Sequence, residues 1–211
     1  MSLDDEGIKL TLLGNAGVGK TCIISRYIEN TFTEKNDSTI GANYSEKILK
    51  KGNREIQLNI WDTAGQEKFY SVGKHFYKDA YIVCLVYDIT SQESLDSLKE
   101  IWYPNLLRYG EQYTVIGVVG NKCDLYENEK LANEEQAKAF AKEIKASFML
   151  TSAKTGDGVE KLFDTLTDIY LGPEFLKKTK ELNLKKGPTF IVKYKKKKEY
   201  EIEEEEKYRC C

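Results

Sequence analysis

Four short stretches of this chain carry residue types suited to phosphates and purine bases. The first, Gly14-Asn15-Ala16-Gly17-Val18-Gly19-Lys20-Thr21, fits G-x-x-x-x-G-K-[ST] with all four fixed positions filled. Glycines let a backbone curl its N–H groups around phosphate oxygens, because bulkier residues clash or resist positive φ. A helix that follows turns its partly positive N-terminus toward the same anion. Lys20 is then expected against the outer phosphates, and the Thr21 hydroxyl on Mg²⁺. The second stretch is Asp62-Thr63-Ala64-Gly65-Gln66. Asp62 alone reads equally well as a turn cap or as an acid that holds Mg²⁺ through a water. Gly65 and Gln66 sharpen the second reading: a backbone N–H to sense a terminal phosphate, and an amide to orient a water for in-line attack.

A phosphate loop alone leaves kinases, ATPases and GTPases open. The third stretch, Asn121-Lys122-Cys123-Asp124, decides the base. A carboxylate accepts two hydrogen bonds at once. Guanine presents a matching N–H and NH₂ pair on one edge and adenine does not, so Asp124 favours guanine. A buried acid left unpaired by the wrong base adds to the rejection. The Lys122 stem can lie along the ring, and Asn121 can tie this loop to the glycine loop. The fourth stretch, Thr151-Ser152-Ala153-Lys154, would offer backbone N–H groups to the base oxygen.

These stretches need a scaffold, and the patterning between them supplies one. Residues 8–13 read as a strand before the glycine loop, and residues 22–28 have apolar side chains at helical spacing behind it. Residues 30–41 are polar, rich in turn formers and without periodicity, a long loop of the kind that is usually functional. Residues 44–51 and 54–61 read as strands joined by Gly52-Asn53, an antiparallel hairpin. Buried strands follow at 81–87, 114–119 and 148–150. Helices are expected at 91–108, with Ser91 as N-cap and a kink at Pro104, at 133–145 and at 158–170. Strands alternating with helices imply an α/β fold: a mostly parallel six-stranded sheet with one antiparallel strand and helices on both faces. In such sheets ligands bind beyond the carboxyl ends of the strands, where all four stretches fall.

Composition narrows the classes further. The net charge of −2 hides an asymmetry: residues 173–211 carry 12 basic and 8 acidic side chains, the rest 20 and 26. An acidic body argues against nucleic acid as a partner. The first six residues are acidic and lack the apolar core of a secretory signal, and Ser2 is not a myristoylation acceptor. The five cysteines do not resemble a disulfide framework; Cys22, Cys84 and Cys123 read as small core hydrophobes in a reducing compartment. Beyond Gly172 lysines and glutamates dominate. The expectation is one domain over 1–172 and a disordered tail over 173–211, since so little apolar surface cannot offset the entropy of ordering.

With these residues in hand, the chain resembles the Ras-like small GTPases over residues 7–171 without a large gap. The P-loop GTPase fold is what that resemblance implies. It assigns the phosphates to Gly14, Gly17, Val18, Gly19, Lys20, Thr21, Cys22 and Gly65, and Mg²⁺ to Thr21, Thr39 and Asp62. Phe32 would stand edge-on beside the base, with Asn121, Lys122, Asp124, Ser152, Ala153 and Lys154 around it. Gln66, Lys20 and Thr39 would serve hydrolysis of GTP to GDP. Arg26 and Arg108 lie on helices away from the glycine loop, so no internal arginine finger is expected.

Within that superfamily the chain resembles the Rab family, on Ile60-Trp61-Asp62-Thr63-Ala64-Gly65-Gln66-Glu67-Lys68-Phe69, Phe76-Tyr77-Lys78-Asp79-Ala80, Leu85-Val86-Tyr87-Asp88-Ile89-Thr90 and the final Cys210-Cys211. Trp102-Tyr103-Pro104 faintly resembles Rho proteins, but the Rho-type insert after Asn121–Asp124 and a C-a-a-X end are both missing. The Rab resemblance implies a monomeric switch of vesicle traffic on the cytoplasmic face of an intracellular membrane, cycling with the cytosol. It implies effectors at Ile40, Gly41, Tyr44, Trp61 and Phe76, an exchange factor, a GTPase-activating protein, a prenylation escort and a GDP-dissociation inhibitor. It also implies geranylgeranyl groups on Cys210 and Cys211. Where Rabs usually show Ile-Gly-Val-Asp-Phe, this chain has Ile40-Gly41-Ala42-Asn43-Tyr44, which loses an acid and gains a hydroxyl on the effector side. A metabolic kinase would need a lid and second substrate site that nothing here supplies, and Gln66 argues against a module that binds GTP without hydrolysing it.

Overall fold

In the computed structural model, which describes residues 7–34, 39, 42–52, 54–63, 74–111, 113–125, 134–173 and 177, the apolar runs become strands of one sheet and the amphipathic stretches become its covering helices. Strand β1 (Ile8–Leu13) leads to helix α1 (Lys20–Glu29), and β2 (Ala42–Lys51) and β3 (Arg54–Thr63) form the hairpin. Then come α2 (Lys74–Tyr77), β4 (Ile82–Asp88), α3 (Gln92–Ser97), α4 (Tyr103–Tyr109), β5 (Val115–Asn121), α5 (Glu134–Glu143), β6 (Ser147–Thr151) and α6 (Val159–Leu171). The six strands lie in the order β2-β3-β1-β4-β5-β6. Every pairing is parallel except β2 with β3.

Strand composition follows position. All seven residues of β4 are buried, as a central strand covered on both faces requires. Strand β2 lies at the edge and exposes alternate residues, Tyr44, Glu46, Ile48 and Lys50. On one face α1 and α6 bury Ile23, Ile24, Tyr27, Leu162, Phe163 and Leu166 against Leu10, Leu12, Leu58 and Ile60. There the Tyr27 and Phe163 rings stack at 3.7 Å. The opposite face buries Leu95, Leu98, Trp102, Leu106 and Phe140 against Leu13, Val83 and Leu85.

Three differences from the sequence reading have physical causes. The 91–108 helix keeps its Ser91 cap, which accepts the Ser94 N–H at 3.2 Å, but it is not one continuous α-helix. The backbone widens into a π-helical segment, Leu98–Trp102, closed by the Tyr103 N–H on Leu98 O. Pro104 then falls in the first turn of α4, where a missing N–H costs no bond. Strand β3 runs on through Thr63, whose hydroxyl donates to Leu12 O at 2.7 Å and fixes the strand end beside the glycine loop. The four-residue α2 is too short for periodicity to reveal. Of the three cysteines read as core, Cys84 is fully buried, with its thiol pushed up to about 12 by burial, while Cys22 and Cys123 are only partly buried. Among the described residues no helix is long and apolar enough to cross a membrane. The readings on Ile40, Gly41, Gly65, Gln66, the tail and Cys210-Cys211 lie outside the described residues.

Candidate nucleotide site

The glycine loop occupies the turn between the end of β1 and the start of α1, and close contacts dictate its residues. At Gly14 (φ +147°) a Cβ would stand 2.1 Å from Val86 O, and at Gly19 (φ +93°) it would stand 2.4 Å from Asn121 Nδ2. No L side chain fits either place. The ammonium of Lys20, 5% exposed, donates to Gly14 O at 2.8 Å and Asn15 O at 2.9 Å. Burial lowers its pKa to about 8, with the Asp62 carboxylate opposing the shift. The Thr21 hydroxyl donates to Asp62 Oδ2 at 2.7 Å and lies 2.8 Å from Thr39 Oγ1. Burial raises the Asp62 carboxyl pKa against the Thr21 bond and the Lys20 charge.

The second Asp62 oxygen, Oδ1, is buried without a hydrogen-bond partner among the described residues. A carboxylate with a spare buried oxygen, beside two threonine hydroxyls, is an all-oxygen donor set that suits a hard divalent cation. Among the described residues no three His, Cys, Asp or Glu side chains gather into a cage. Magnesium, which keeps waters and substrate oxygens in its shell and needs only one or two protein carboxylates, fits these residues.

The base end is built from the carboxyl ends of β5 and β6, which pair Asn121 with Thr151. Asn121 Nδ2 donates to Val18 O at 2.8 Å, while its Oδ1 accepts from Thr151 Oγ1 at 3.1 Å and Ala153 N at 3.3 Å. Asn121 thus ties its own loop to the phosphate loop, as the sequence suggested, and reaches the last loop as well. Ser152 Oγ donates to Asp124 Oδ1 at 2.5 Å and aligns the carboxylate. Lys122 sits at φ +69° and anchors its ammonium on Asp88 Oδ2 at 2.5 Å. Asp88 Oδ1 in turn accepts from the Thr90 N–H and hydroxyl.

A single cleft of about 440 Å³ runs between the two ends. Ala16, Gly17, Gly19, Lys20, Thr21 and Cys22 line it on one side, Asn121, Lys122, Asp124, Ala153 and Lys154 on the other, with Phe32 and Thr39 over it. Gly14, Val18, Asp62 and Ser152 stand directly behind that wall, each bonded to a residue of the site. The expected effector aromatics lie elsewhere. Tyr44 and Trp61 meet edge to face at 5.2 Å on the hairpin. The carbonyl of Phe76 accepts the hydroxyl of Thr11, the residue paired in register with Trp61. The extra hydroxyl of Tyr44 donates to Glu46 at 2.6 Å, and partial desolvation with that bond pushes the phenol up to about 12.

Sequence reasoning missed three participants. Trp102 Nε1 donates to Asn15 Oδ1 at 2.8 Å, and Asn15 Nδ2 to Ser97 Oγ at 3.0 Å, so the π turn braces the phosphate loop. Arg26, expected only to be remote from the glycine loop, reaches the far end of the cleft and bonds the carbonyls of Ala153 and Lys154. No local pattern signals such bonds, because they join residues 82 to 128 positions apart.

Comparison with known proteins identifies the family. The profile of the Ras family matches residues 9–171. The chain is 40% identical over 162 residues to Ras-related protein RIC1 of Oryza sativa subsp. japonica, covering 77% of this chain and 79% of that protein. It is 41% identical over 159 residues to Ras-related protein RABD2a of Arabidopsis thaliana, covering 75% and 77%. To Ras-related protein Rab-30 of Homo sapiens it is 38% identical over 165 residues, covering 77% and 80%.

Proposed function

The chain belongs to the Ras family and is a small GTPase of the Rab type, and from that premise we propose how its cleft works as a GDP/GTP switch in membrane traffic. The observation that carries the reading is that phosphate-loop, hydroxyl–carboxylate and guanine-matched residues share one cleft at the carboxyl ends of the strands. Asp124, aligned by Ser152, reads the guanine N–H and NH₂ edge. Lys20 and the N–H groups of Gly17, Val18, Gly19, Thr21 and Cys22 hold the phosphates at the start of α1. Thr21, Thr39 and Asp62 would hold Mg²⁺, which supplies neutralisation of phosphate charge when bound. Gln66 orients the attacking water, and Gly65 and Thr39 sense the terminal phosphate, so hydrolysis releases both segments. Intrinsic turnover of this design is slow, about 10⁻⁴ to 10⁻² s⁻¹, and a partner's arginine raises it by orders of magnitude.

Regulators and effectors complete the cycle: an exchange factor, an activating protein, and effectors docking on Ile40, Gly41, Tyr44, Trp61 and Phe76. Prenyl groups on Cys210 and Cys211, delivered by an escort and shielded by a GDP-dissociation inhibitor, would hold the protein on a membrane, since stable anchoring takes two signals. Calorimetry with GDP, GTP and ATP tests the base assignment; ATP binding within tenfold of GTP would remove it. Fractionation of Cys210→Ser/Cys211→Ser tests the anchor, and the double variant is expected in the cytosol. A variant still on membranes would instead credit Lys195–Lys198, whose pull Glu201 and Glu203–Glu206 oppose.

A further inference from the structure

The side chain of Arg26 leaves the last turn of α1 and divides its donors between two segments beside the cleft. Nε donates to Ala153 O at 2.8 Å and Nη2 to Lys154 O at 2.8 Å. Nη1 donates to both the backbone and side-chain oxygens of Asn30, each at 2.9 Å. Asn30 caps α1 in the left-handed conformation (φ 55°), and two residues on stands Phe32, which lines the cleft. Four charge-assisted bonds from one planar fork are more directional than four separate ones. The loop the fork holds is tight: the Gly156 N–H closes it on Ser152 O at 2.8 Å, and a Cβ on Gly156 would approach Arg26 Cδ to 3.6 Å.

The consequence for recognition follows from peptide geometry. A trans peptide is planar, with its C=O and N–H pointing in opposite directions. When Arg26 holds Ala153 O toward α1, the Lys154 N–H of that same peptide is turned to the opposite side. Holding Lys154 O likewise turns away the Thr155 N–H, which is found on Ser152 Oγ at 3.1 Å. From this arrangement we propose that Arg26 is a positioning residue for base recognition: it touches no nucleotide, and it aims the backbone N–H of Lys154 at the 6-oxygen of the purine, the Ser152 and Ala153 N–H groups being held by Asp157 O and Asn121 Oδ1. The inference rests on the guanine reading above and assigns that reading a residue that no motif names.

The test separates the two. Release rates of GDP and of 6-thioguanosine diphosphate are measured from the full-length protein, from Arg26→Gln and from Arg26→Lys. The thio analogue keeps the N–H and NH₂ edge for Asp124 but offers a weak acceptor at position 6. Wild-type protein releases GDP more slowly than the analogue if the 6-oxygen is read; equal rates would overturn the proposal, whereas ATP binding within tenfold of GTP would overturn the guanine reading itself. Arg26→Gln is expected to speed GDP release about tenfold, in line with the loss of bonds to a charged donor, and release of the analogue clearly less. Arg26→Lys, which keeps the charge and one donor, falls between and serves in place of Arg26→Gln should that variant not fold. Equal acceleration of both ligands, or none for GDP, would overturn the role of Arg26 while leaving the guanine reading intact.

Discussion

At the base end of the cleft the polar groups are tied across the whole chain: Asp124 to Ser152, Asn121 to Val18 and Thr151, Arg26 to Ala153 and Lys154. The charged and hydroxyl groups of the phosphate end have shorter ties: Lys20 bonds carbonyls of its own loop, Thr21 meets Thr39 and Asp62, and Asp62 Oδ1 has no partner among the described residues. The first arrangement reads by shape, since each donor and acceptor is held before a base arrives. The second reads by charge, since a lysine depressed to about 8 and a carboxylate raised by burial both gain from a phosphate–cation pair beside them. A switch benefits from that division. Guanine is common to GDP and GTP, so a rigid base end makes the terminal phosphate the only variable the protein senses.

The largest expected effect comes from breaking the base end at its centre. Asp124→Asn exchanges one acceptor for a donor, facing the guanine N–H and NH₂ with a buried mismatch. A site built to hydrogen-bond its ligand discriminates strongly against one that cannot reciprocate, so GDP affinity should fall about a thousandfold or more, with preference moving to xanthine nucleotides. The comparison sharpens this: calorimetry should find the same factor for GDP and GTP, because neither phosphate end is touched. A loss confined to GTP would mean the two ends are not independent.

Gln66→Leu strikes the other end and should leave nucleotide affinity alone. Single-turnover hydrolysis is expected to drop at least about tenfold, equivalent to about 1.4 kcal/mol on the barrier. Should GTP affinity fall by the same factor as the rate, Gln66 belongs to binding and not to the positioning of water.

How much of this was legible beforehand depends on how local each cause is. Gly14 to Thr21 announced themselves because a phosphate loop is one continuous backbone path, although the atoms that exclude a Cβ at Gly14 and Gly19, Val86 O and Asn121 Nδ2, come from other strands. The buried run of β4 signalled a central strand because both its faces are covered. Carboxylate chemistry alone marked Asp124 as the expected guanine reader, and the structure places it in the cleft wall. By contrast, the Arg26 fork depends on how α1 packs beside the 153–154 loop, and its acceptors are backbone carbonyls that every residue possesses. The anchoring of Lys122 on Asp88 is similarly silent, because an ion pair between two strand ends has no spacing rule. The π turn was not foreseen: Pro104 marked this helix as irregular, but no residue pattern marks a widened turn at Leu98–Trp102.

The smallest effect tests whether the phosphate end has a brace of its own. Trp102, 5% exposed, spends its indole N–H on Asn15 Oδ1, and Asn15 O accepts the Lys20 ammonium. Indole, amide and ammonium thus form a chain from the π turn to the residue expected on the phosphates. Trp102→Phe keeps a ring in the core and removes the donor, leaving the Asn15 side chain with its Ser97 bond among those described. A neutral hydrogen bond contributes about 0.5–1.5 kcal/mol, so nucleotide affinity should weaken about two- to tenfold. The brace acts where every nucleotide carries the same diphosphate, and GDP and 6-thioguanosine diphosphate should therefore weaken by one common factor. Arg26→Gln, acting through the base, should split the same pair of ligands. If Trp102→Phe splits them too, the π turn reaches the base end, and the division between a shape-reading end and a charge-reading end has to be redrawn through Asn121, whose amide touches both.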